Sequence, residues 1–542
     1  MKRLRGIFQL PQNREAFGEI RFKGPNSLLN LSSHSEPIFL HETPHLHGTT
    51  FDHKKVTCID CVAFSPGRNY VRQGEDWTRS YFGHCFPHFV TVGDEHVDPG
   101  AATVRGIHFT TNDLPSLFYD FDAFGHVRDA ESIIDTVLAT RKLRGLRPVE
   151  AGEWPHVAYF TGKLTVIEVD TDIGKLAVRH QPSHKMGGPN GVFIKNRMVV
   201  SLEPNSPVTF HEAFDRMLIV ANFLSVIAGR QQSINNIRLQ TVTSDDQARS
   251  FLSVYWSLAP KSHESKIDYL ELRPGDVPLD PIQRPKEFSG VLKNWICRET
   301  EWRLSRIRYV SCLSKGNHYD VDRLIAAANM FDILPAEAVP LPTLLPDDLA
   351  ESKTTCLAIL KKHPPGQDRD GAISALKRMG KPSLPKKIQH RTAMVVKHLE
   401  PRFDELNYVV KIAVQCRNYF VHGGSDFNFS AVAPFMSFLT DALEFVFAAS
   451  DLIETGWDAA RWNSDSHGNG HTFARFRSIY DIQLHCCPGK ILGNCYNLLY
   501  LINKGRRHGC YRLELPSGIP KNRVFRIFGR LRCIQASSFF RS

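Results

Sequence analysis

The sequence has no hydrophobic run long enough to suggest a membrane protein. Its most apolar segment, residues 217–229, is shorter than the ~18–20 residues that a membrane span needs, and it contains Asn222 and Ser225. The basic N-terminus is not followed by the apolar stretch of a secretory signal before Pro11. We therefore expect a cytoplasmic protein that does not enter a membrane.

The motifs of several common enzyme classes are also missing. The sequence contains no P-loop, no GxGxxG and no GxSxG, so no motif supports a nucleotide-binding or serine-hydrolase function. At 42% hydrophobic and 23% charged residues the composition is that of an ordinary globular protein. Because single cores stop growing near ~250–300 residues, a chain of 542 residues predicts at least two domains.

Acidic residues are nearly absent from one part of the chain. From residue 482 to the end there are 11 Lys and Arg and a single acid, Glu514, whereas the preceding 481 residues carry 56 basic and 55 acidic side chains. The net charge of +11 is therefore a property of the tail, and a basic body that wraps nucleic acid is not supported. The tail also holds five of the 12 cysteines. It either contacts phosphates or is an extension without a role in the fold.

The spacing of apolar residues divides the chain into a β-rich and a helical part. Residues 1–205 consist mostly of short β-branched and aromatic segments separated by Gly, Pro, Asn and Asp, which predicts strands joined by turns. A capping box, Thr209 to Glu212, begins a helix over 210–228 that Gly229 ends. A Pro-rich stretch, 274–285, reads as a domain boundary. Helices are predicted over 287–310, 320–333, 347–361, 387–399, 402–422 and 431–455.

Two cysteines and several histidines near the N-terminus could in principle bind zinc. Cys58 and Cys61 form a CxxC, and four histidines precede it: His41, His45, His47 and His53. However, no second CxxC exists, and residues three apart in a strand point to opposite faces. We therefore assign no metal ligand, and favour a structural role for both cysteines while leaving the zinc alternative open.

The pattern R-x4-H is the best chemical signal in the sequence. With 41 Arg and 24 His, about 1.8 matches are expected by chance, and three occur: Arg79/His84, Arg179/His184 and Arg417/His422. The first pair lies in a segment that is predicted to be a strand, and the second pair has Pro182 between its two residues. In the third, Arg417 is followed by Asn418 near the end of a strongly helical run that Gly423 and Gly424 close. Context therefore selects the third pair.

Helical geometry gives this pair one favourable and one unfavourable feature. Phe403, Leu406, Val410 and Ala413 form an apolar stripe, and four residues further along the same stripe lies Arg417. A guanidinium on a buried face needs a hydrogen-bonding or anionic partner. However, Arg417 and His422 are about 140° apart on an ideal helix, so we expect them to converge poorly within one straight helix. A frayed helix end or a second subunit would resolve this, and an Arg that merely caps the helix beside a surface His is the alternative.

Arg417-Asn418-x-x-x-His422-Gly423, placed near the end of a long helix and before another, resembles the HEPN domain of prokaryotic defence and toxin ribonucleases, in particular the ApeA-like subfamily. Other stretches resemble the ApeA N-terminal domain (6–11, 18–22, 28–31, 56–61) and the HEPN helices (320–334, 382–391, 445–456). The resemblance implies an α+β multidomain protein in which a β-rich N-terminal domain precedes an all-α HEPN helical bundle. The boundaries that we predict are 1–285, 286–317 as a helical linker, 318–481 and a basic Cys-containing tail, 482–542.

The resemblance further implies a metal-independent endoribonuclease without cofactors that acts in abortive-infection defence against phage. His422 would exchange protons with the 2′-OH of RNA, Arg417 would bind the phosphate, and Asn418 would orient His422 or the phosphate. RNA, with tRNA among the candidates, would be the substrate, a homodimer would form through the HEPN domain, and a phage protein would act on the N-terminal domain. The alternatives are a non-catalytic HEPN module that senses RNA or a phage protein, and a ligand-binding β-sandwich with a helical appendage.

Overall fold

The computed structural model describes residues 3–486, except 35, 41–42, 74–75, 186–188, 190, 243–250, 262–270, 424–426 and 466. Residues 1–481 form one compact unit and residues 482–542 a second. The basic tail and its predicted phosphate contacts therefore lie almost wholly outside the described residues. Both the β-rich and the helical region belong to the first unit.

The N-terminal region is built from strands and three helices. Its elements are β1 Arg3–Leu10, β2 Arg14–Arg21, β3 Leu28–Ser33, β4 Leu46–Thr50, β5 Lys55–Ala63, β6 Gly67–Gln73, β7 Asp76–Gly93, β8 Val104–Thr110, α1 Leu114–Leu117, β9 Phe124–Val127, α2 Glu131–Leu143, β10 Val157–Phe160, β11 Thr165–Thr171, β12 Gly174–His180, β13 Ser183–Lys185, β14 Phe193–Lys195, β15 Met198–Glu203, α3 Phe210–Ala228, β16 Asn235–Thr241 and β17 Phe251–Trp256. The predicted strand content of residues 1–205 is confirmed, whereas α2, which buries none of its residues, was not predicted.

Six of these strands close into a barrel. They pair in the order β7-β3-β2-β1-β4-β5, and β5 pairs again with β7, every contact being antiparallel. Beyond β7 the sheet continues through β17, β16, β8, β15 and β12 to β11. Phe8 fills the barrel next to Gly18 and Gly48, where any Cβ would overlap its ring. Closure removes free strand edges from this part of the sheet, so the barrel has its own core.

Helix α3 joins the sheet to the rest of the unit. The predicted capping box is confirmed: Thr209 Oγ1 accepts from the Glu212 N–H, the Glu212 carboxylate accepts from the Thr209 N–H, and Gly229 ends the helix with a positive φ of 66°. The aromatic rings of Phe210 and Phe214 pack on Phe89 of β7. The helix thus lies on one face of the extended sheet.

The C-terminal region is a helical bundle. Its helices are α4 Pro285–Cys297, α5 Glu299–Leu313, α6 Val321–Asn329, α7 Asp347–Lys361, α8 Gln367–Arg378, α9 Leu384–Leu399, α10 Leu406–His422, α11 Phe429–Val432, α12 Met436–Thr455, α13 Ala459–Ser464 and α14 Thr472–Cys486. Helix α12 lies at the centre and contacts α4, α5, α6, α9 and α10. The apolar spacing predicted that α10 begins at residue 402, four residues too early, and it did not predict α8.

One stretch of the bundle is long and apolar enough to cross a membrane, which corrects the choice of residues 217–229 as the most apolar segment. It is Phe429–Thr455, and 67% of its most apolar window is buried within the protein. Most of this segment is therefore packed against neighbouring helices of the described part of the chain.

The predicted linker and the Pro-rich boundary are parts of the core. Trp295 and Trp302, on α4 and α5, are completely buried. In the Pro-rich stretch the Pro278 carbonyl accepts from the Trp457 indole N–H at 2.8 Å, and the Asp276 carboxylate accepts from the Gly468 N–H at 2.8 Å. The stretch is therefore packed against the helical region, because its buried side chains and carbonyls find partners there.

His471 links α3 to the start of α14 and should make the fold sensitive to acid. Its Nδ1 accepts from the Phe473 N–H and its Nε2 lies 3.3 Å from the Val226 carbonyl, while burial lowers its pKa to about 3. Because the unfolded chain takes up this proton near pH 6.5, stability that is present above pH 6.5 should be lost as the pH falls towards 3. In denaturant titrations, His471→Gln should lose about 2 kcal/mol less than the unsubstituted protein between pH 7 and pH 5. Equal losses in the two proteins would contradict this role.

Candidate active site

The last two turns of α10 carry the R-x4-H residues at the edge of the bundle. Ala413 and Cys416 are buried, Arg417 and Asn418 are half-buried, and His422 is exposed. The apolar stripe predicted for this helix is therefore confirmed up to Ala413. From Arg417 onward the helix leaves the core, which gives its polar side chains access to solvent.

Arg417 and His422 meet within one chain. Arg417 Nη1 lies 3.3 Å from His422 Nε2 and 3.1 Å from Asn418 Oδ1. The expectation that the pair converges poorly in a single straight helix is therefore wrong. The angle of about 140° separates the points of attachment, but the long Arg417 side chain crosses Asn418 and reaches the final turn. Because a guanidinium only donates hydrogen bonds, the Nε2 that faces it is the acceptor nitrogen of the imidazole.

Two amide oxygens hold the guanidinium. Asn329 Oδ1 accepts from Arg417 Nε at 3.2 Å and from Nη2 at 2.8 Å, and Asn418 Oδ1 accepts from Nη1. Asn418 thus contacts Arg417 rather than His422. The sequence predicted that Arg417 needs a partner but did not identify Asn329, which is the last residue of α6 and lies 88 positions away. The only local signal is that Asn329 is a polar residue at the C-terminal end of α6.

Aromatic rings flank the pair on the C-terminal side. Tyr419 stacks on Phe429 with ring centroids 5.8 Å apart, and Phe420 meets Phe429 edge to face at 4.9 Å. All three rings are half-buried. They join the end of α10 to α11 and so hold the helix end that carries His422, although residues 424–426 between them lie outside the described part of the chain.

A groove of about 220 Å³ runs between α9 and α10 and ends at Asn418. Its floor is apolar, with Ile388 and Val414 buried beneath it, and Lys411 lies on its rim. Lys411, Asn418 and His422 recur at helical spacing, so they share one face of α10. The candidate site is therefore open along the helix surface.

The two other R-x4-H matches do not form comparable sites. His84 Nδ1 lies 2.9 Å from the Asn30 side chain across the sheet, five residues from Arg79 on the same strand. Arg179 lies 3.7 Å from Glu168, whereas His184 is on another strand. Arg79 and His84 are an odd number of residues apart in one strand and therefore point to opposite faces, and no contact between Arg179 and His184 is present among the described residues.

The CxxC is a buried thiol cluster. Asp60 has a positive φ of 53°, which turns Cys61 towards Cys58, so the expectation that the two face opposite sides is wrong. A hydrogen bond with Cys58 and burial raise the pKa of the Cys61 thiol, and a hydrogen bond with Cys61 and burial raise the pKa of the Cys85 thiol, which makes both poor nucleophiles. Among the described residues no group of three or more His, Cys, Asp or Glu side chains is placed to hold a metal ion.

Residues 41–45 spell H-E-x-x-H, a zinc-protease pattern, so an expectation that the sequence lacks this motif is wrong. That motif works on a helix, where its two histidines share a face. Here Pro44 interrupts it, residues 43–45 are not helical, and residues 41–42 lie outside the described part. The His45 ring lies 3.4 Å from the Asp60 N–H, as a loop contact would place it.

Comparison with known families adds independent information. The family model described as ApeA N-terminal domain 1 matches residues 3–295, which is more than half of the chain, and the model described as Apea-like HEPN matches residues 325–461. Asn329, Arg417, Asn418 and His422 all lie within the second match. No curated protein matches the chain significantly.

Proposed function

Because the chain belongs to the ApeA-like family of HEPN-type anti-phage proteins, we propose that it is an endoribonuclease that cleaves RNA with Arg417 and His422. The observation that carries the proposal is the 3.3 Å contact between Arg417 Nη1 and His422 Nε2 at an exposed helix end. A permanent positive charge and a proton acceptor are thereby placed side by side. A phosphodiester with a neighbouring hydroxyl is a substrate that uses both.

The reaction that we propose begins with the 2′-OH of RNA. Once the phosphate has taken the Arg417 N–H that faces His422, the Nε2 of His422 removes the 2′-OH proton. The 2′ oxygen forms a bond to the adjacent phosphorus, and the bond from phosphorus to the 5′ oxygen breaks. The leaving oxygen takes up a proton from solvent water, and the protonated His422 returns its own proton to solvent, which gives a 5′-hydroxyl end and a 2′,3′-cyclic phosphate end. DNA lacks the 2′-OH and should resist.

Arg417 supplies the positive charge in this scheme. Asn329 holds Nε and one Nη2 N–H, and Asn418 holds one Nη1 N–H. The second Nη2 N–H and the Nη1 N–H that faces His422 can then donate two parallel hydrogen bonds to phosphate oxygens and stabilise the charge that grows on them during attack. The nucleophile belongs to the substrate and the charge to Arg417, so the proposed steps need no metal ion. Asn418, which accepts a hydrogen bond from Nη1, orients the guanidinium.

The wider proposal concerns partners and regulation. We place the protein in the cytoplasm, as a homodimer formed through the helical bundle, with tRNA among its substrates and a phage protein as the trigger. The packing of residues 276–278 against Trp457 and Gly468 supports a route by which the β-rich region acts on the bundle. The non-catalytic binding module is the alternative that the following experiment separates.

The purified full-length chain should cleave total RNA in the presence of EDTA, because neither proton transfer nor charge stabilisation depends on a metal in the proposed steps. End-group analysis should find 2′,3′-cyclic phosphate and 5′-hydroxyl termini, and the equivalent DNA should stay intact. If the chain binds RNA without cleaving it, with or without a co-expressed phage trigger, the binding-module alternative is correct.

A further inference from the structure

The arginines of the bundle fall into two groups according to what holds them. Arg306 donates to both oxygens of Asp451, Arg323 donates to both oxygens of Glu444, and Arg391 pairs with Glu454. In each case a carboxylate cancels the charge of the guanidinium. This is the usual arrangement, since a buried cation without a counter-charge is costly.

Arg417 is held differently. Its acceptors are two neutral amide oxygens and one imidazole nitrogen, and no carboxylate of the described residues lies within 4.0 Å of its guanidinium. Asn329 uses one oxygen to fix Nε and Nη2, which is the edge that the carboxylate takes in the Arg306 and Arg323 pairs. The guanidinium is thus oriented by neutral groups, and no carboxylate of the described residues neutralises its positive charge.

Asn329 lies on a helix that is attached to the core of the bundle. It is the last residue of α6, whose N-terminus is capped by Asp320 and whose Arg323 is bonded at 2.7 and 2.9 Å to Glu444 of the central helix α12. The start of α6 is therefore locked to the bundle core, and Asn329 lies less than two helical turns beyond this ion pair. An acceptor in such a place sets the direction of the Arg417 side chain.

We propose that Asn329 is a positioning residue of the site: its neutral amide oxygen aims Arg417 at an anion while leaving the arginine's charge available to bind it. This inference rests on the proposed function, since the anion is the phosphodiester that is cleaved. A carboxylate at the same position would bind Arg417 more tightly and would compete with the substrate for the same charge.

The test compares Asn329→Asp with Asn329→Ala. Asn329→Asp should lower RNA cleavage by about 10²-fold, the effect of removing one oxyanion-stabilising donor. In a His422→Ala background, where RNA stays intact, it should also lower the salt dependence of binding to a short fluorescein-labelled single-stranded RNA by about 0.7 in log K against log salt, one phosphate contact. Asn329→Ala should slow cleavage about 10-fold with an unchanged salt slope, because the charge remains while its direction is lost.

Asn317→Asp is the matched control, because Asn317 Oδ1 accepts from another bundle arginine, Arg475, at 3.4 Å and the substitution adds the same charge. It should change neither the cleavage rate nor the salt slope. A merely structural Asn329 would give the same slope in its Asp and Ala variants, and that result would overturn the inference. Full cleavage by Asn329→Asp with an inactive His422→Ala would do so while leaving the proposed function intact, whereas an active His422→Ala would reject the function itself.

Discussion

His422→Ala should lower RNA cleavage by about 10²–10⁴-fold, because the substitution removes the group that accepts the 2′-OH proton. His422 is exposed and its side chain contacts Arg417, so the loss of the imidazole should leave folding intact. The measurement is initial cleavage rate at saturating RNA, with the thermal midpoint of each variant as a check on folding. Full activity in a folded His422→Ala protein would reject the catalytic assignment.

Arg417 variants complete the first test. Arg417→Ala should lose comparable activity, and Arg417→Lys should not restore it, because an ammonium cannot reproduce the two parallel donors. Since Arg417 and His422 meet in one chain, mixing the two inactive chains should recover little cleavage; strong recovery would show that each site combines groups from two chains. Arg179→Ala with His184→Ala is the control, because the same motif there is not assembled, and it should leave cleavage unchanged.

Local signals in the sequence predicted some features of this structure well. The capping box at Thr209 and Glu212 lies within one helical turn, so the residues that specify it are neighbours. The choice of Arg417 over Arg79 and Arg179 also depended on local context, namely the helix and the glycine after it. The exposed His422 followed from its place in the last turn.

Features that depend on distant contacts could not be predicted. Closure of the barrel requires β5 to pair with β7 as well as with β4. Nothing in the sequences of β5 and β7 specifies that these two strands pair. Asn329 reaches Arg417 only after α6 and α10 have packed together. The inward turn of Cys61 depends on the left-handed backbone of Asp60, a conformation that non-glycine residues seldom adopt.

The second large effect concerns the stability that the ion pair between Arg323 of α6 and Glu444 of α12 contributes. Glu444→Ala should lower the free energy of unfolding by about 3–5 kcal/mol, because it leaves the Arg323 guanidinium buried without its counter-charge. Arg323 is 1% exposed and Glu444 5% exposed, so water cannot replace the lost carboxylate. Denaturant titration monitored by circular dichroism measures the change.

Asp215→Ala is the matched control for this effect, since Arg303 and Asp215 are 3.1 Å apart but about half exposed, and the loss of a surface pair is worth about 0–1 kcal/mol. The double variant Arg323→Met/Glu444→Leu should recover much of the stability, because the stranded charge is gone and apolar contacts fill the space. If Glu444→Ala costs no more than Asp215→Ala, the ion pair does not lock α6 to α12. The helix that carries Asn329 would then not be fixed by this ion pair. The stability measurement therefore also tests whether Asn329 is held rigidly enough to orient Arg417.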